Sequence, residues 1–184
     1  EIKKKVISIL KKIYADNGIS KLEGILLHNP LQPLDEERWK IIYSVLKDFQ
    51  KRGLIRKIGV SVYNRFELIN ILSVFSPDIV QFPYNVFNQE FNDSNFLKYL
   101  KKKKIILQAR SIFLQGLLCQ KKNKLEKYFL NWDKNLLKWK NFLKKNKIKN
   151  VEGCLIFAFQ NRYIDEFIIA GEKNYQIIKN LNLI

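Results

Sequence analysis

The chain has 184 residues, which predicts a single domain over 1–184. Its hydrophobic fraction of 47% is sufficient for a packed core, and no apolar run is long enough to span a membrane. The formal net charge of +17 leaves a polyanionic partner such as nucleic acid open. Because no nucleic-acid-binding motif accompanies the lysines, we favour solvated, lysine-rich helix surfaces and expect no specific nucleic-acid partner.

Metal-ligating residues are scarce. Two separated cysteines, Cys119 and Cys154, and one histidine, His28, cannot supply a zinc site, and the cysteines form no disulfide framework. No metal is therefore expected. The chain carries no secretory signal, which favours a reducing, cytoplasmic setting. It contains no methionine and begins with Glu1, so we expect a portion of a longer gene product.

The first half of the chain alternates amphipathic helices with short apolar strands. The predicted elements are a helix over 2–15, a strand over 24–28, a helix capped by Asp35 and ended by Gly53, a strand over 55–62, a helix ending before Pro77, and a strand over 78–83. Three helical faces are predicted to be buried: Ile2, Val6, Ile9 and Ile13; Trp39, Ile42, Leu46 and Phe49; and Leu68, Ile69, Leu72 and Phe75.

The second half continues the alternation after a short basic helix. The predicted elements are a helix over 94–103, a strand over 104–110, a long connection over 111–134, helices over 135–146 and 150–160, a strand over 165–170, and a helix over 173–182. The basic, aromatic stretch 121–149 is compatible with nucleic-acid stacking. We favour a core-facing stripe because four apolar residues recur at helical spacing, namely Trp132, Leu136, Trp139 and Leu143.

Strands that alternate with helices, each a short apolar run, indicate an α/β fold with a parallel sheet covered by helices. In such folds the chemistry is done at the carboxyl ends of the strands. His28 lies at such an end, after the apolar residues 24–27. From the residues alone, His28 is either a catalytic imidazole or a structural histidine whose nitrogens are satisfied by neighbours.

Five segments taken in order resemble the aldo-keto reductases. They are GILLHNP (24–30), GLIRKIGVSV (53–62), DIVQFPYN (78–85), ILQARSIFLQGLL (106–118) and FIIAGEKNYQIIKN (167–180). The motifs GVSVY and RSIFLQGLL are similar to a bacterial branch found near genes of sugar and polysaccharide biosynthesis. The resemblance implies part of an eight-stranded (β/α) TIM barrel, in which this chain supplies strands four to eight and the N-terminal strands are missing.

The resemblance implies NAD(P)H-dependent reduction of an aldehyde or ketone, such as a sugar. In the family a tyrosine donates the proton, a lysine and an aspartate tune that tyrosine, and a histidine orients the carbonyl oxygen. His28 matches that histidine. The other three residues lie upstream in the family, so we expect this chain alone to be inactive. The missing strands would come from an absent N-terminal segment or from another chain.

The resemblance also assigns nicotinamide contacts. Ser61 and Gln81 match residues that hold the carboxamide of the nicotinamide. Val62 stands where the family usually has asparagine, which removes one polar contact. Arg110 stands where many members carry a stacking aromatic residue, and its guanidinium can either stack or bind a phosphate or an anionic substrate.

The remaining matches concern the rest of the cofactor. Three residues fall on the segment that binds the pyrophosphate in the family: Ser111, Gln115 and Gly116. Four more lie at and after the last strand: Gly171 at the helix start where barrels commonly bind phosphate, Lys173 for the adenosine phosphate, Gln176 where NADP-preferring members often carry arginine, and Asn180 for adenine. The implied cofactor is NADP or NAD, with NADP favoured.

Two other functions remain open at this point. One is a non-catalytic barrel protein that binds a cofactor or regulates a partner, which the absence of upstream Asp, Tyr and Lys residues would favour. The other is a basic nucleic-acid-binding protein, whose electrostatic binding would weaken steeply with ionic strength.

Overall fold

The structure is a computed structural model that describes residues 1–28, 36–120 and 132–171. Its elements are α1 (Ile2–Asn17), β1 (Leu22–His28), α2 (Glu36–Lys51), β2 (Ile55–Ser61), α3 (Arg65–Val74), β3 (Ile79–Pro83), α4 (Ser94–Lys102), β4 (Ile106–Arg110), a 3-10 turn (Leu117–Cys119), α5 (Asp133–Lys145), α6 (Asn150–Phe159) and β5 (Glu166–Phe167). The predicted closing helix over 173–182 and the Asp35 cap lie outside the described residues.

The five strands form one sheet in the order β1-β2-β3-β4-β5, and every neighbouring pair is parallel. Chain order and spatial order therefore coincide, as in a section of a (β/α) barrel. The predicted partial TIM barrel is confirmed. A parallel strand needs a crossover connection, and the described helices supply several of these on one side of the sheet.

The two sides of the sheet differ in character because side chains alternate along each strand. Val60, Val80 and Leu107 have no solvent exposure and pack in one hydrophobic cluster with residues of α3 and α4. The opposite side carries Ser61 and Gln81, and we call it the luminal face because it would line the inside of a closed barrel. Polar groups thus gather on the luminal face.

Local signals explain where the helices begin and end. The side chain of Asn64 accepts a hydrogen bond from the N–H of Glu67 and caps α3, and Asp93 caps α4 in the same way. Helix α1 ends at Gly18, whose φ of 60° is the left-handed conformation that glycine adopts easily.

Three residues that we predicted to be buried are exposed. Ile9 is 51% exposed because the inner face of α1 is centred on Leu10. Ile69 is 52% exposed, since α3 packs through the neighbouring Leu68 and Ile71. Trp132 is 39% exposed because it precedes the first turn of α5.

The last predicted strand is much shorter than expected. Only Glu166 and Phe167 pair with β4, whereas the apolar run predicted a strand over 165–170. Strand β4 ends at Arg110, and the chain turns at Ser111, whose φ is 59°. Residues after Ile168 therefore run past the end of β4.

Candidate active site

A row of polar side chains crosses the sheet near the carboxyl ends of its strands. The register pairs His28 with Ser61, Ser61 with Gln81, Gln81 with Gln108, and Gln108 with Glu166. Residues paired in this way in a parallel sheet direct their side chains to the same side. The row, which we call the luminal row, therefore brings one residue from each of the five strands together on the luminal face.

Direct hydrogen bonds connect four members of the luminal row. The Ser61 hydroxyl donates to Gln81 Oε1 at 3.0 Å, and Gln81 Nε2 donates to Gln108 Oε1 at 2.5 Å. Gln108 Nε2 donates in turn to Glu166 Oε2 at 2.7 Å. Ser61 is 2% exposed, so its hydroxyl is held in a fixed, dry environment.

A second cluster joins His28 to Arg110 through Tyr63. The rings of His28 and Tyr63 meet edge to face, with centroids 6.1 Å apart, and the Arg110 guanidinium lies 4.7 Å from the Tyr63 centroid. Arg110 Nη2 donates to the carbonyl of Val62 and Nη1 donates to the hydroxyl of Ser111, both at 3.3 Å. Arg110 Nε is buried and has no hydrogen-bond partner among the described residues.

The segment after β4 has an unusual backbone. Leu114, Gln115 and Gly116 have φ angles of 47°, 52° and 85°, which are left-handed values that residues with a Cβ rarely adopt. Gly116 donates its N–H to the carbonyl of Phe113, and no atom of the described residues lies within 4 Å of where a Cβ on Gly116 would stand. Gly116 thus leaves room for a ligand, whereas its N–H group is already engaged within the segment.

Asn85 connects this segment to the end of β3. It is 1% exposed, and its Nδ2 donates to the carbonyl of Ser111 at 3.1 Å. Its Oδ1 accepts hydrogen bonds from the N–H groups of Phe87 and Asn88, both at 3.0 Å. A buried amide that makes three hydrogen bonds holds the start of the segment in place.

The structure brings most of the predicted site residues to one edge of the sheet. His28, Ser61, Gln81 and Arg110 lie there, and Ser111, Gln115 and Gly116 follow directly on the adjoining segment. Gly171 is half-buried at the end of the described residues. Lys173, Gln176 and Asn180 lie outside them.

Four residues of this region were not predicted from the sequence. Gln108 lies two residues before Arg110 on the same strand, so alternation along β4 could have predicted that both side chains lie on one face. Asn85 lies in the PYN motif that carried the family resemblance. Tyr63 and Glu166 left no such signal, because their contacts depend on the fold.

The two cysteines meet beside the segment after β4, where both pack in one hydrophobic cluster. A hydrogen bond from the Cys154 thiol lowers the pKa of Cys119, although partial burial opposes this shift. The same hydrogen bond and burial raise the pKa of Cys154 well above the usual range. Both cysteines are free thiols.

The described residues contain neither a metal-binding cluster nor a membrane-spanning helix. Among residues 1–28, 36–120 and 132–171, His, Cys, Asp and Glu side chains form no group of three or more that could hold a metal ion. Within the same ranges, every helix is too short or too polar to cross a membrane.

Comparison with known proteins identifies the family. Residues 2–184 match the model of the aldo/keto reductase family. An uncharacterized oxidoreductase of Schizosaccharomyces pombe is 37% identical over 102 residues, which are 54% of this chain and 34% of that protein. The chain therefore covers about a third of the length of this curated relative.

Solved structures agree with the fold. The aldo-keto reductase AKR11C1 from Bacillus halodurans in its apo form superimposes with a TM-score of 0.78 at 12% identity, over 98% of this chain and 62% of that one. The glycerol dehydrogenase AKR11B4 from Gluconobacter oxydans superimposes with a TM-score of 0.69 at 13% identity, over 98% of this chain and 64% of that one. Because the family model spans nearly every residue, the chain belongs to the aldo/keto reductase family.

Proposed function

We propose that this chain forms the cofactor side of an enzyme that reduces an aldehyde or ketone with NAD(P)H. The observation that carries the proposal is the luminal row, which ends at His28 and holds Ser61 and Gln81 in contact with each other. In a parallel (β/α) barrel, this carboxyl-end edge is where substrates and cofactors bind.

The residues present fit a nicotinamide dinucleotide. Gln81 has a second amide hydrogen and Ser61 has lone pairs beyond the bond that joins them, so together they offer a donor and an acceptor to a carboxamide. The guanidinium of Arg110 is planar and charged, which suits stacking on a ring or binding an anion, and its buried Nε has no partner among the described residues. When bound, the cofactor would supply the hydride.

The segment after β4 would hold the pyrophosphate. Leu114 and Gln115 both have left-handed φ angles and store backbone strain of a kind that proteins retain mostly at functional positions. The open space beside Gly116 permits close approach of a phosphate, and the hydroxyl of Ser111 adds a polar group. Gly171, Lys173, Gln176 and Asn180 are proposed to contact the adenosine part.

His28 would orient the substrate carbonyl. It lies at the end of β1 and its side chain is exposed, so a substrate can reach the ring. A neutral imidazole can donate one N–H to a carbonyl oxygen that is gaining negative charge. The proton donor and its two tuning residues would come from the strands that this chain does not supply, so we propose that the chain alone does not turn over.

Finer assignments extend the same proposal. We favour NADP over NAD, a sugar-like carbonyl substrate, and membership of the bacterial branch near sugar and polysaccharide genes. We treat 1–184 as a single domain, and the two free thiols support a reducing, cytoplasmic setting. The proposal includes no specific nucleic-acid partner and no membrane.

The test measures binding and turnover separately in the complete protein. Titration with NADPH and NADH, followed by fluorescence, should give saturable binding that Ser61→Ala weakens. Aldehyde reduction followed by loss of reduced cofactor should fall at least about a hundredfold in His28→Ala, the scale of a removed oxyanion donor. Binding without turnover would favour the non-catalytic cofactor-binding or regulatory role, and no binding would refute the proposal.

A further inference from the structure

The hydrogen bonds of the luminal row all run in one direction, from Ser61 towards Glu166, and Glu166 sets that direction. Glu166 is a carboxylate, which only accepts hydrogen bonds. Gln108 must therefore turn its NH2 group to Glu166, which leaves its Oε1 facing Gln81. Gln81 must then turn its own NH2 group to Gln108, which leaves its Oε1 facing Ser61.

This constraint on donor and acceptor also fixes the hydroxyl of Ser61. Ser61 finds an oxygen opposite it and must donate its only hydrogen to Gln81. The donor and acceptor groups left for a ligand are thereby fixed. Gln81 keeps one N–H to donate, and Ser61 keeps only lone pairs that can accept. A row made of amides and hydroxyls alone would run equally well in either direction.

We propose that Glu166 is a positioning residue that acts through Gln108 to set Gln81 as the donor and Ser61 as the acceptor for a primary carboxamide. This inference rests on the proposed function, because it takes the nicotinamide carboxamide as the ligand. A carboxamide offers one carbonyl oxygen and one NH2 group, which complement an N–H from Gln81 and a lone pair on Ser61.

Charge strengthens the bias that Glu166 imposes. A hydrogen bond to an ionised acceptor is about twice as strong as one between neutral groups, and bonds in a connected row polarise one another. Glu166 is exposed, so its carboxylate loses little hydration, whereas Gln81 and the buried Ser61, which it orders, lie two and three strands away.

The experiment compares two matched variants of the complete protein. Glu166→Gln removes the carboxylate but keeps the size of the side chain. Glu23→Gln removes the same charge from the opposite end of the sheet, where Glu23 contacts Arg56 and Lys57. Thermal unfolding verifies that both variants fold. Isothermal titration then measures binding of NADPH and of 2′-phospho-ADP-ribose, which lacks the nicotinamide.

We expect Glu166→Gln to weaken NADPH binding about fivefold, the difference between a charged and a neutral hydrogen bond, and to leave 2′-phospho-ADP-ribose unchanged. Glu23→Gln should change neither affinity. Equal NADPH affinity in both variants would overturn the inference, as would an equal loss for NADPH and the nicotinamide-free analogue in Glu166→Gln.

A second pair of measurements tests the donor and acceptor roles of Gln81 and Ser61 directly, by changing the carboxamide of the cofactor. The 3-acetylpyridine analogue replaces the carboxamide NH2 with a methyl group, so it cannot donate to Ser61. The unaltered protein should prefer the carboxamide cofactor over this analogue, and the preference should shrink in Glu166→Gln. An unchanged preference would overturn the inference even if overall affinity falls.

If Glu166→Gln folds poorly, Gln108→Leu tests the same inference. Because Glu166 acts through Gln108, Gln108→Leu should reproduce the selective loss, and the double variant should lose no more than Gln108→Leu alone. Additive losses would overturn the inference. If the unaltered protein binds NADH rather than NADPH, NADH and ADP-ribose replace the two probes. If it binds the nicotinamide-free probe but shows no preference for the full cofactor, the inference fails and cofactor binding stands. If it binds neither NADPH nor NADH, both fail.

Discussion

Arg110 can have one of two roles in the site: its guanidinium can stack on the nicotinamide ring or bind an anion. Two of its nitrogens donate within the chain, to Val62 and Ser111, and its plane lies over Tyr63. These contacts hold the guanidinium as a rigid flat surface, which favours stacking.

Stacking can be tested by restoring an aromatic residue. Arg110→Tyr supplies a flat ring without charge and should retain the NADPH affinity of the complete protein within about threefold. Arg110→Met keeps an apolar chain but no plane, and it should weaken binding about tenfold, as measured by titration calorimetry. Equal losses in both variants would indicate that the charge, and hence anion binding, matters instead.

The two cysteines provide a chemical prediction. Cys119 is half-buried with a lowered pKa, whereas Cys154 is 1% exposed with a raised pKa. The thiolate is the reactive form, so iodoacetamide should label Cys119 first, and its labelling should reach half its maximal rate below the ordinary cysteine pKa of about 8.5. Mass spectrometry of peptides measures both.

The control for this prediction removes the hydrogen-bond donor. In Cys154→Ala the Cys119 thiolate loses that bond, so its pKa rises and its labelling profile should move to higher pH. A profile that does not move would contradict a hydrogen bond between the two sulfurs.

At the scale of elements, β1, β2 and β3 approach closely on the luminal face at Gly59. A Cβ on Gly59 would lie 2.6 Å from the carbonyl oxygen of Ile79, which belongs to the backbone and cannot move aside. At Gly24 the nearest atom would be the tip of the Ile79 side chain at 3.2 Å, which can turn away.

Gly59→Ala should therefore lower the free energy of unfolding of the complete protein by about 2 kcal/mol, the usual cost of overpacking. Gly24→Ala, on the same face of the same sheet, should change it by under about 1 kcal/mol. Urea denaturation followed by circular dichroism compares the two. Similar values for both variants would mean that the strands can separate without cost.

The connection between β3 and the segment after β4 depends on Asn85. Asn85→Ala would leave the Ser111 carbonyl and two N–H groups without their buried partner, so we expect about 3 kcal/mol of destabilisation. It should also weaken NADPH binding in calorimetry by loosening the segment. Gln89 is exposed in the same loop between β3 and α4, so Gln89→Ala should change neither the stability nor the NADPH affinity.

Element type was predictable from sequence, whereas element ends and paired contacts were not. The apolar runs and helical spacing were enough to predict five parallel strands, because burial on both faces of such a sheet requires those patterns. The extent of β5 depended on where its neighbour β4 ends, which no pattern within 165–170 encodes. Ser61 and Gln81 were found by family resemblance. The continuation of their hydrogen bonds through Gln108 to Glu166 depends on the register of β4 and β5, where the two bonded residues lie 58 positions apart in sequence.

At the scale of the whole molecule, two opposing features govern how the isolated chain behaves. Within the described residues, β1 pairs on one side with β2 and has no strand on its other side. An unpaired edge offers backbone hydrogen bonds to a second molecule and promotes association. The net charge of +17 opposes association because like-charged molecules repel each other.

Ionic strength decides between these two features. The Debye length falls from about 30 Å at 0.01 M salt to about 3 Å at 1 M, so repulsion is strongest in dilute salt. The isolated 184-residue chain should therefore be closest to a monomer at low salt and associate as salt rises, as measured by light scattering after size exclusion. Nucleic-acid binding would respond in the opposite direction, since added salt weakens it. A monomeric mass at every salt concentration, together with a sharp two-state thermal transition, would contradict an exposed strand edge.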